Sequence, residues 1–212
     1  MAPCNRSIAS GATIAAMTAP VRIRLATPDD GAAVAEIYRP YVESTPVSFE
    51  LRPPTADEMA GRIARLLEFA PWLVAEVDGV VRGYAYAGRF RERPAYDWSA
   101  ESTVYVDAEV RGRGLGRLLM GAVIRVLQLQ GYRTVIAGIT LPNDASVALH
   151  ERLGFARIGQ FDKVGWKAGA WHGVDFYALE LGPRVDGEEP DALRPLPRLL
   201  GSPELEQALS GR

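Results

Sequence analysis

Val104-Tyr105-Val106-Asp107-Ala108-Glu109-Val110-Arg111-Gly112-Arg113-Gly114-Leu115-Gly116-Arg117 is the stretch on which the reading of this chain turns. Its first residues, β-branched and aromatic, read as the end of a strand. A glycine-rich turn follows and opens a helix, in which Leu115, Leu118, Leu119, Ala122, Val123, Val126 and Leu127 form one apolar stripe. In a strand–turn–helix of this kind, consecutive backbone N–H groups and the positive end of the helix dipole converge on one spot, which suits an anion. Gly112, Gly114 and Gly116 let a ligand approach the backbone, and Arg111, Arg113 and Arg117 add guanidinium groups that can pair with phosphate oxygens.

Two phosphate ligands are excluded by what surrounds the glycines. A dinucleotide fingerprint needs its third glycine where Arg117 stands, and an acid about twenty residues later, where the chain has Ile136 and Ala137. A nucleoside triphosphate loop needs Gly-Lys-Ser/Thr, which the sequence lacks. What remains is Arg-x-x-Gly-x-Gly at Arg111, Gly114 and Gly116, against the plainer alternative of a turn with solvated arginines.

Working outward, Val21 to Leu25 reads as a first strand, and Thr27-Pro28-Asp29-Asp30 opens a helix with Ala33, Ile37, Tyr38 and Tyr41 on one face. Thr55 to Glu58 is a capping box for a second helix carrying Met59, Ile63, Leu66 and Leu67. The proline-punctuated loop 43–54 between them is long enough to line a site. Trp72 to Val77 and Val80 to Ala87 are strands joined at Asp78-Gly79, a hairpin dipeptide. Glu101 to Asp107 is the next strand, Gly131 ends the helix after the glycine turn, Thr134 to Thr140 is a strand and Asn143 to Leu153 a helix. Phe155 to Phe161 and Val174 to Leu181 close the order β-α-α-β-β-β-α-β-α-β-β. Three regions result: an extension over 1–20, disordered or over-called from a native start at Met17; one domain over 21–182; and a proline-rich, poorly packed tail over 183–212, with a short helix at its end.

Composition bounds the function. The 212 residues are 48% hydrophobic and carry a formal charge of -2, with 24 basic residues among 26 acidic ones, so nothing favours a nucleic-acid backbone as partner. No apolar run approaches the roughly 20 residues needed to span a bilayer, so no membrane partner and a soluble, cytoplasmic protein are expected. Cys4 is the only cysteine, which excludes an internal disulfide and a thiolate cluster, and two histidines without ligand spacing argue against a metal site.

The Arg-x-x-Gly-x-Gly form resembles the pyrophosphate loop of the GCN5-related N-acetyltransferase (GNAT) superfamily. A second segment, Asn143-Asp144-Ala145-Ser146-Val147-Ala148-Leu149-His150-Glu151-Arg152-Leu153-Gly154-Phe155, is similar to the superfamily's later helix. There the position of His150 is often a tyrosine that protonates the departing thiolate, a departure that puts the usual acid assignment in doubt. His150 together with Pro71-Trp72-Leu73-Val74-Ala75-Glu76, Ala95-Tyr96-Asp97-Trp98, Glu101-Ser102-Thr103-Val104-Tyr105-Val106, Leu141-Pro142-Asn143-Asp144 and Gly169-Ala170-Trp171-His172 resembles the phosphinothricin acetyltransferase branch. The resemblance covers residues 21–182 and neither tail. It implies the GNAT acyl-CoA N-acyltransferase fold of the α/β (α+β) class, a mixed, mostly antiparallel sheet splayed in the middle and flanked by helices. It also implies a homodimer and resistance to phosphinothricin-type herbicides.

The implied reaction moves the acetyl group of acetyl-CoA directly to the amine of a small amino-acid-like acceptor of phosphinothricin, methionine sulfone or methionine sulfoximine type. Because an amine is mostly protonated at neutral pH, a base must act first. The resemblance assigns that role to Glu101, with His150 as its partner or the alternative base; of these, Glu101 as base and His150 as a proton relay near the sulfur is the favoured reading. Period two places Glu101 on one strand face with Thr103 and Tyr105. The expected acetyl-CoA-binding set is Val104, Tyr105, Val106, Arg111, Gly112, Arg113, Gly114, Leu115, Gly116, Asn143 and Ser146, with backbone N–H groups of Val104 to Val106 as oxyanion donors. Phe49, Arg93 and Tyr96 match acceptor-pocket positions, Arg93 for a carboxylate or phosphinate. The alternatives are acetylation of a protein N-terminus, lysine or other amine, and a non-catalytic acyl-CoA sensor.

Overall fold

The structure, a computed structural model, describes residues 20–210. The expectations for the extension, Cys4 and a start at Met17 lie outside the described residues.

The chain runs β1 (Val21–Leu25), α1 (Gly31–Ser44), α2 (Ala56–Leu67), β2 (Trp72–Val77), β3 (Val80–Arg89), β4 (Ser99–Val106), α3 (Leu115–Gln130), β5 (Thr134–Thr140), α4 (Asp144–Arg152), β6 (Ala156–Lys167), β7 (Ala170–Glu180) and α5 (Pro203–Ser210). The strands form one seven-stranded sheet in the order β1-β2-β3-β4-β5-β7-β6. Every neighbouring pair is antiparallel except β4–β5, which is parallel and pairs only Ser99 with Thr134, Ala100 with Val135 and Glu101 with Ile136. Beyond Glu101 and Ile136 the two strands part, leaving the rest of β4 and β5 as facing, unpaired walls.

Strand periodicity sorts the core into two layers. On β2 and β3, Leu73, Ala75, Ala85 and Ala87 face α3, whose Leu115, Leu119, Met120, Ala122, Val123 and Leu127 are buried with them. The alanines are small enough for the helix to lie close. Alternating with them, Trp72, Val74 and Tyr84 face α1 and α2 through Val34, Ile37, Tyr38, Met59 and Ile63. The capping box of α2 forms as its sequence predicts: Thr55 Oγ1 accepts from Glu58 N at 3.2 Å, and Thr55 N donates to Glu58 Oε2 at 2.7 Å.

Two boundaries differ from expectation. β6 and β7 extend far past Phe161 and start well before Val174, meeting at a turn in which Ala168 and Gly169 both have positive φ. The register of this pair shifts twice, between Arg157 and Gly159 and between Phe161 and Gly165, which breaks the alternation that a strand reading depends on. The C-terminal segment also departs from the poorly packed tail expected of it. A short helix does stand at its end, but Leu196, Leu199, Leu205 and Ala208 are buried in a third cluster against Val126 of α3.

Candidate active site

The parting of β4 from β5 opens a cleft of about 700 Å³ between the two strands, the N-terminus of α3 and α4. Its wall gathers Val104, Tyr105, Val106, Arg111, Gly112, Gly114, Leu115, Gly116, Asn143, Ser146 and His150. Tyr41, Thr45 and Val47 close it from α1 and the loop after it, and Gly138 lies on the β5 side. Arg113, Glu101, Phe49, Arg93 and Tyr96 are not on this wall.

The anion-binding corner is built by backbone. Gly112 and Gly114 have φ of 76° and 84°, a left-handed conformation that costs a side-chain-bearing residue strain, and Gly114 caps α3. The first backbone donors with a carbonyl partner are Arg117 and Leu118, both to the Gly114 carbonyl. The N–H groups of Leu115 and Gly116 are therefore left to the cleft, as at any helix start. At Gly116 a Cβ would stand 3.4 Å from Leu149 Cδ2 and 3.7 Å from Val106 Cγ2, within the lining itself. Arg111 lies over the Tyr41 ring at 4.8 Å.

The edge of β4 that faces the gap is set by its pairing with β3. Asp107 N donates to Arg82 O at 2.9 Å and Phe90 N to Ser99 O at 3.4 Å, so the odd-numbered residues of β4 spend their backbone groups on β3. Tyr105 N–H is among them. Of the even-numbered residues, Ser102 spends its N–H on Ile136 in the last rung of the parallel ladder, while Val104 and Val106 present their groups to the gap. Val106 is already engaged: the Tyr41 hydroxyl donates to Val106 O at 2.6 Å and accepts from Val106 N at 3.3 Å. Of the three N–H groups expected as oxyanion donors, Val104 alone is open toward the split. Tyr41 and Gly138 were not identified as site residues from sequence, since a tyrosine on an apolar helix stripe and a glycine inside a strand carry no chemical signature of their own.

Glu101 sits at the fork, in the last pair that joins β4 to β5. Its Oε1 is 3.6 Å from the place where a Cβ on Gly138 would stand, so the glycine leaves room beside the carboxylate. Burial pushes the Glu101 carboxyl above the usual glutamate range, against a smaller downward pull from Arg91. His150 is 3% exposed and edge-on to Phe155 at 5.0 Å. Burial lowers its pKa, against the opposing effect of its bond to Ser146. Nδ1 lies 2.8 Å from the Ser146 carbonyl, which can only accept, so Nδ1 carries the hydrogen and Nε2 keeps a lone pair. Nε2 is buried with no partner among the described residues.

The remaining expected residues lie on two loops. Phe49 packs on Gly165 of β6, where a Cβ would come within 2.2 Å of its ring, and that loop is tied to β6 by Lys167 Nζ donating to Ser48 O at 2.6 Å. Arg93 and Tyr96 belong to the connection between β3 and β4, Tyr96 edge-on to Phe90 at 5.8 Å and 41% exposed.

Comparison with known proteins agrees with this architecture. Residues 33–155 match the protein-family model for the acetyltransferase (GNAT) family. The chain is similar to a phosphinothricin N-acetyltransferase of Streptomyces viridochromogenes, 47% identical over 162 residues that cover 76% of this chain and 88% of that protein. It is also similar to an L-methionine sulfoximine/L-methionine sulfone acetyltransferase of Salmonella typhimurium, 38% identical over 75% of this chain and 94% of the relative. Among solved structures, a GNAT superfamily phosphinothricin acetyltransferase from Sinorhizobium meliloti in complex with AcCoA superposes with a TM-score of 0.75 at 34% identity, covering 82% of this chain and 97% of that one. A splayed sheet, a glycine-rich helix start beside the split and relatives of this similarity converge: the chain belongs to the GNAT acetyltransferase family, on its phosphinothricin acetyltransferase-like branch, and is an acetyl-CoA-dependent N-acetyltransferase.

Proposed function

We propose that this enzyme transfers the acetyl group of acetyl-CoA directly to the amino group of a small amino-acid-like acceptor of phosphinothricin, methionine sulfone or methionine sulfoximine type. The observation that carries this reading is the Glu101 carboxylate, of raised proton affinity, at the fork of β4 and β5 on the strand whose Val104 N–H is open toward the split. In this reading Arg111 and the N–H groups of residues 112–116, with Arg113 beside them, hold the diphosphate, while Asn143 and Ser146 line the way to the fork. Glu101 removes a proton from the acceptor ammonium, the freed nitrogen attacks the thioester carbonyl, and the Val104 N–H stabilises the charge that develops on oxygen. The carbon–sulfur bond then breaks as the attacking nitrogen sheds its second proton, and the thiolate leaves, taking that proton up. His150, neutral with Nε2 able to accept, relays that proton. No covalent acyl-enzyme is required.

Phe49 and Tyr96 form walls of the acceptor pocket in this reading, and Arg93 pairs with the carboxylate or phosphinate. The activities for which the relatives are named, on phosphinothricin and on methionine sulfoximine and sulfone, support that acceptor class. The working unit we propose is a cytoplasmic homodimer. Supporting it, Phe161, Val164, Trp166 and Trp171 stand exposed on the β6–β7 hairpin, the two tryptophans at 57% and 58%, an apolar surface of the kind that subunit contacts cover. The deciding experiment is a thiol-release screen with acetyl-CoA over phosphinothricin, methionine sulfone, methionine sulfoximine, free amino acids, polyamines and peptides. Turnover confined to the first three with amino acids supports the reading; turnover on peptides or polyamines alone overturns it.

A further inference from the structure

We infer that Tyr41 is a positioning residue for acetyl-CoA: its hydroxyl ends the open edge of β4 at Val104, and its ring carries Arg111 toward the diphosphate corner. The inference rests on acetyl-CoA occupying the cleft between β4 and β5.

A ligand that pairs with the free edge of β4 finds a donor and an acceptor at Val104 and again at Val106, two residues apart, the Ser102 N–H being taken by Ile136 in the last rung to β5. Such an edge has a register problem, because a ligand displaced by one repeat meets the same pattern of donor and acceptor. Tyr41 removes the degeneracy. One hydroxyl takes both groups of Val106, donating at 2.6 Å to its carbonyl and accepting at 3.3 Å from its N–H. Pairing that reaches one repeat too far then meets a saturated residue, and the carbonyl to be attacked is held to Val104, nearer Glu101 along the strand.

The ring performs a separate task. Arg111 makes no ion pair among the described residues. Its guanidinium carbon instead lies 4.8 Å from the centre of the Tyr41 ring, a cation held by an aromatic face and not by a carboxylate that a diphosphate would have to displace. The ring is itself fixed, edge-on to Tyr105 at 4.8 Å, and the turn below it is closed by Thr45 Oγ1 donating to Tyr41 O at 2.7 Å. Burial against the core requires only an aromatic residue here; the hydroxyl and the arginine above the ring are what exceed it.

The two tasks separate in two substitutions. Tyr41→Phe keeps the ring and loses the hydroxyl; Tyr41→Leu loses both. Melting temperatures establish that each variant folds, calorimetry gives acetyl-CoA affinity, and thiol release gives kcat and KM for acetyl-CoA and for S-acetylpantetheine, a thioester without a diphosphate. Tyr41→Phe is expected to lower kcat about tenfold, the scale of one hydrogen bond, with acetyl-CoA affinity within about twofold of the parent. Tyr41→Leu is expected to weaken acetyl-CoA by a further threefold to tenfold or so, the scale of a partly exposed cation–π contact, and to treat S-acetylpantetheine no worse than Tyr41→Phe does. Arg111→Ala should cost less affinity in the Tyr41→Leu background than in the parent. Parent-like kcat in Tyr41→Phe overturns the register role, and an equal cost of Arg111→Ala in both backgrounds overturns the aiming role. A parent enzyme that does not bind acetyl-CoA at all is a different failure, that of the cleft assignment itself.

Discussion

Burial of Glu101 raises its proton affinity, and the sign of that shift sets opposite expectations for stability and for rate. A carboxyl whose folded pKa lies above its unfolded value stabilises the fold while protonated, below about pH 4.3, and that contribution is lost as pH rises through the folded value. Near neutral pH the ionised side chain therefore contributes nothing to stability. Glu101→Gln, which resembles the protonated form, should melt at the same temperature as the parent or higher while kcat falls about 100-fold or more, the range for a lost general base. A lowered melting point with intact kcat counts against both halves. For the parent, kcat/KM should decline as pH falls through a value above the ordinary glutamate range, because the base must be ionised. His150 shifts the other way. Its neutral form is favoured in the fold, so its contribution is complete above about pH 6.5, the unfolded value, and is lost as pH falls through the lower folded value. Urea unfolding between pH 7.5 and 5 should show the parent losing more stability than His150→Gln, and equal losses would place the ring's titration outside the folding equilibrium.

At the scale of the element, the start of α3 separates what a glycine does for the backbone from what it does for the ligand. Gly114→Ala puts a side chain at a φ of 84° in otherwise open space, so its effect is strain, and the melting point should fall together with acetyl-CoA affinity. Gly116 has an ordinary helical backbone, and an added methyl meets Leu149 and Val106 only at contact distance. Gly116→Ala should hold or raise the melting point through helix propensity, by about 0.5–1 kcal/mol, and still raise the KM for acetyl-CoA, since that methyl stands among the cleft-lining residues. Unchanged KM in Gly116→Ala would mean that the ligand does not approach this helix start. This element was legible in sequence because its chemistry is local: glycines at fixed offsets, arginines beside them and an apolar stripe behind. The β6–β7 hairpin was less legible because its ladder slips twice and much of β6 faces solvent, where alternation of apolar residues has no core to report. In sequence Tyr41 shows only as part of one helix face, since its partner Val106 is 65 residues away and only the tertiary fold brings them together.

At the scale of the whole molecule, the C-terminal segment shows how a sequence rich in proline can still be packed. Pro190, Pro195, Pro197 and Pro203 interrupt every window long enough to display a helical period, and that interruption is what made residues 183–212 read as a loose tail. The apolar spacing survives in fragments, Leu196 with Leu199 and Leu205 with Ala208, each three residues apart on a single turn of a 3-10 turn or of α5. Those turns lie along the flank of α3 that carries Val126 and Leu129, beside its stripe toward the sheet, burying Val126 and touching Leu25 and Leu67. Backbone bonds fasten the segment at two further points: Arg194 N donates to Gln130 O at 2.8 Å and Leu196 N to Phe69 O at 3.2 Å, while Gln130 Nε2 donates to the carbonyls of Phe69 and Arg194 at 2.6 and 2.9 Å. The helix whose N-terminus lines the cleft is thus held between the sheet and the end of the chain. Leu196→Ala removes a fully buried side chain at the centre of this contact and should cost about 2–5 kcal/mol in urea unfolding. Because Leu196 is remote from the cleft wall, kcat and both KM values should remain near those of the parent at a temperature where the variant is folded. A cost below about 1 kcal/mol, the level of a surface substitution, would show that the segment does not hold α3 in solution.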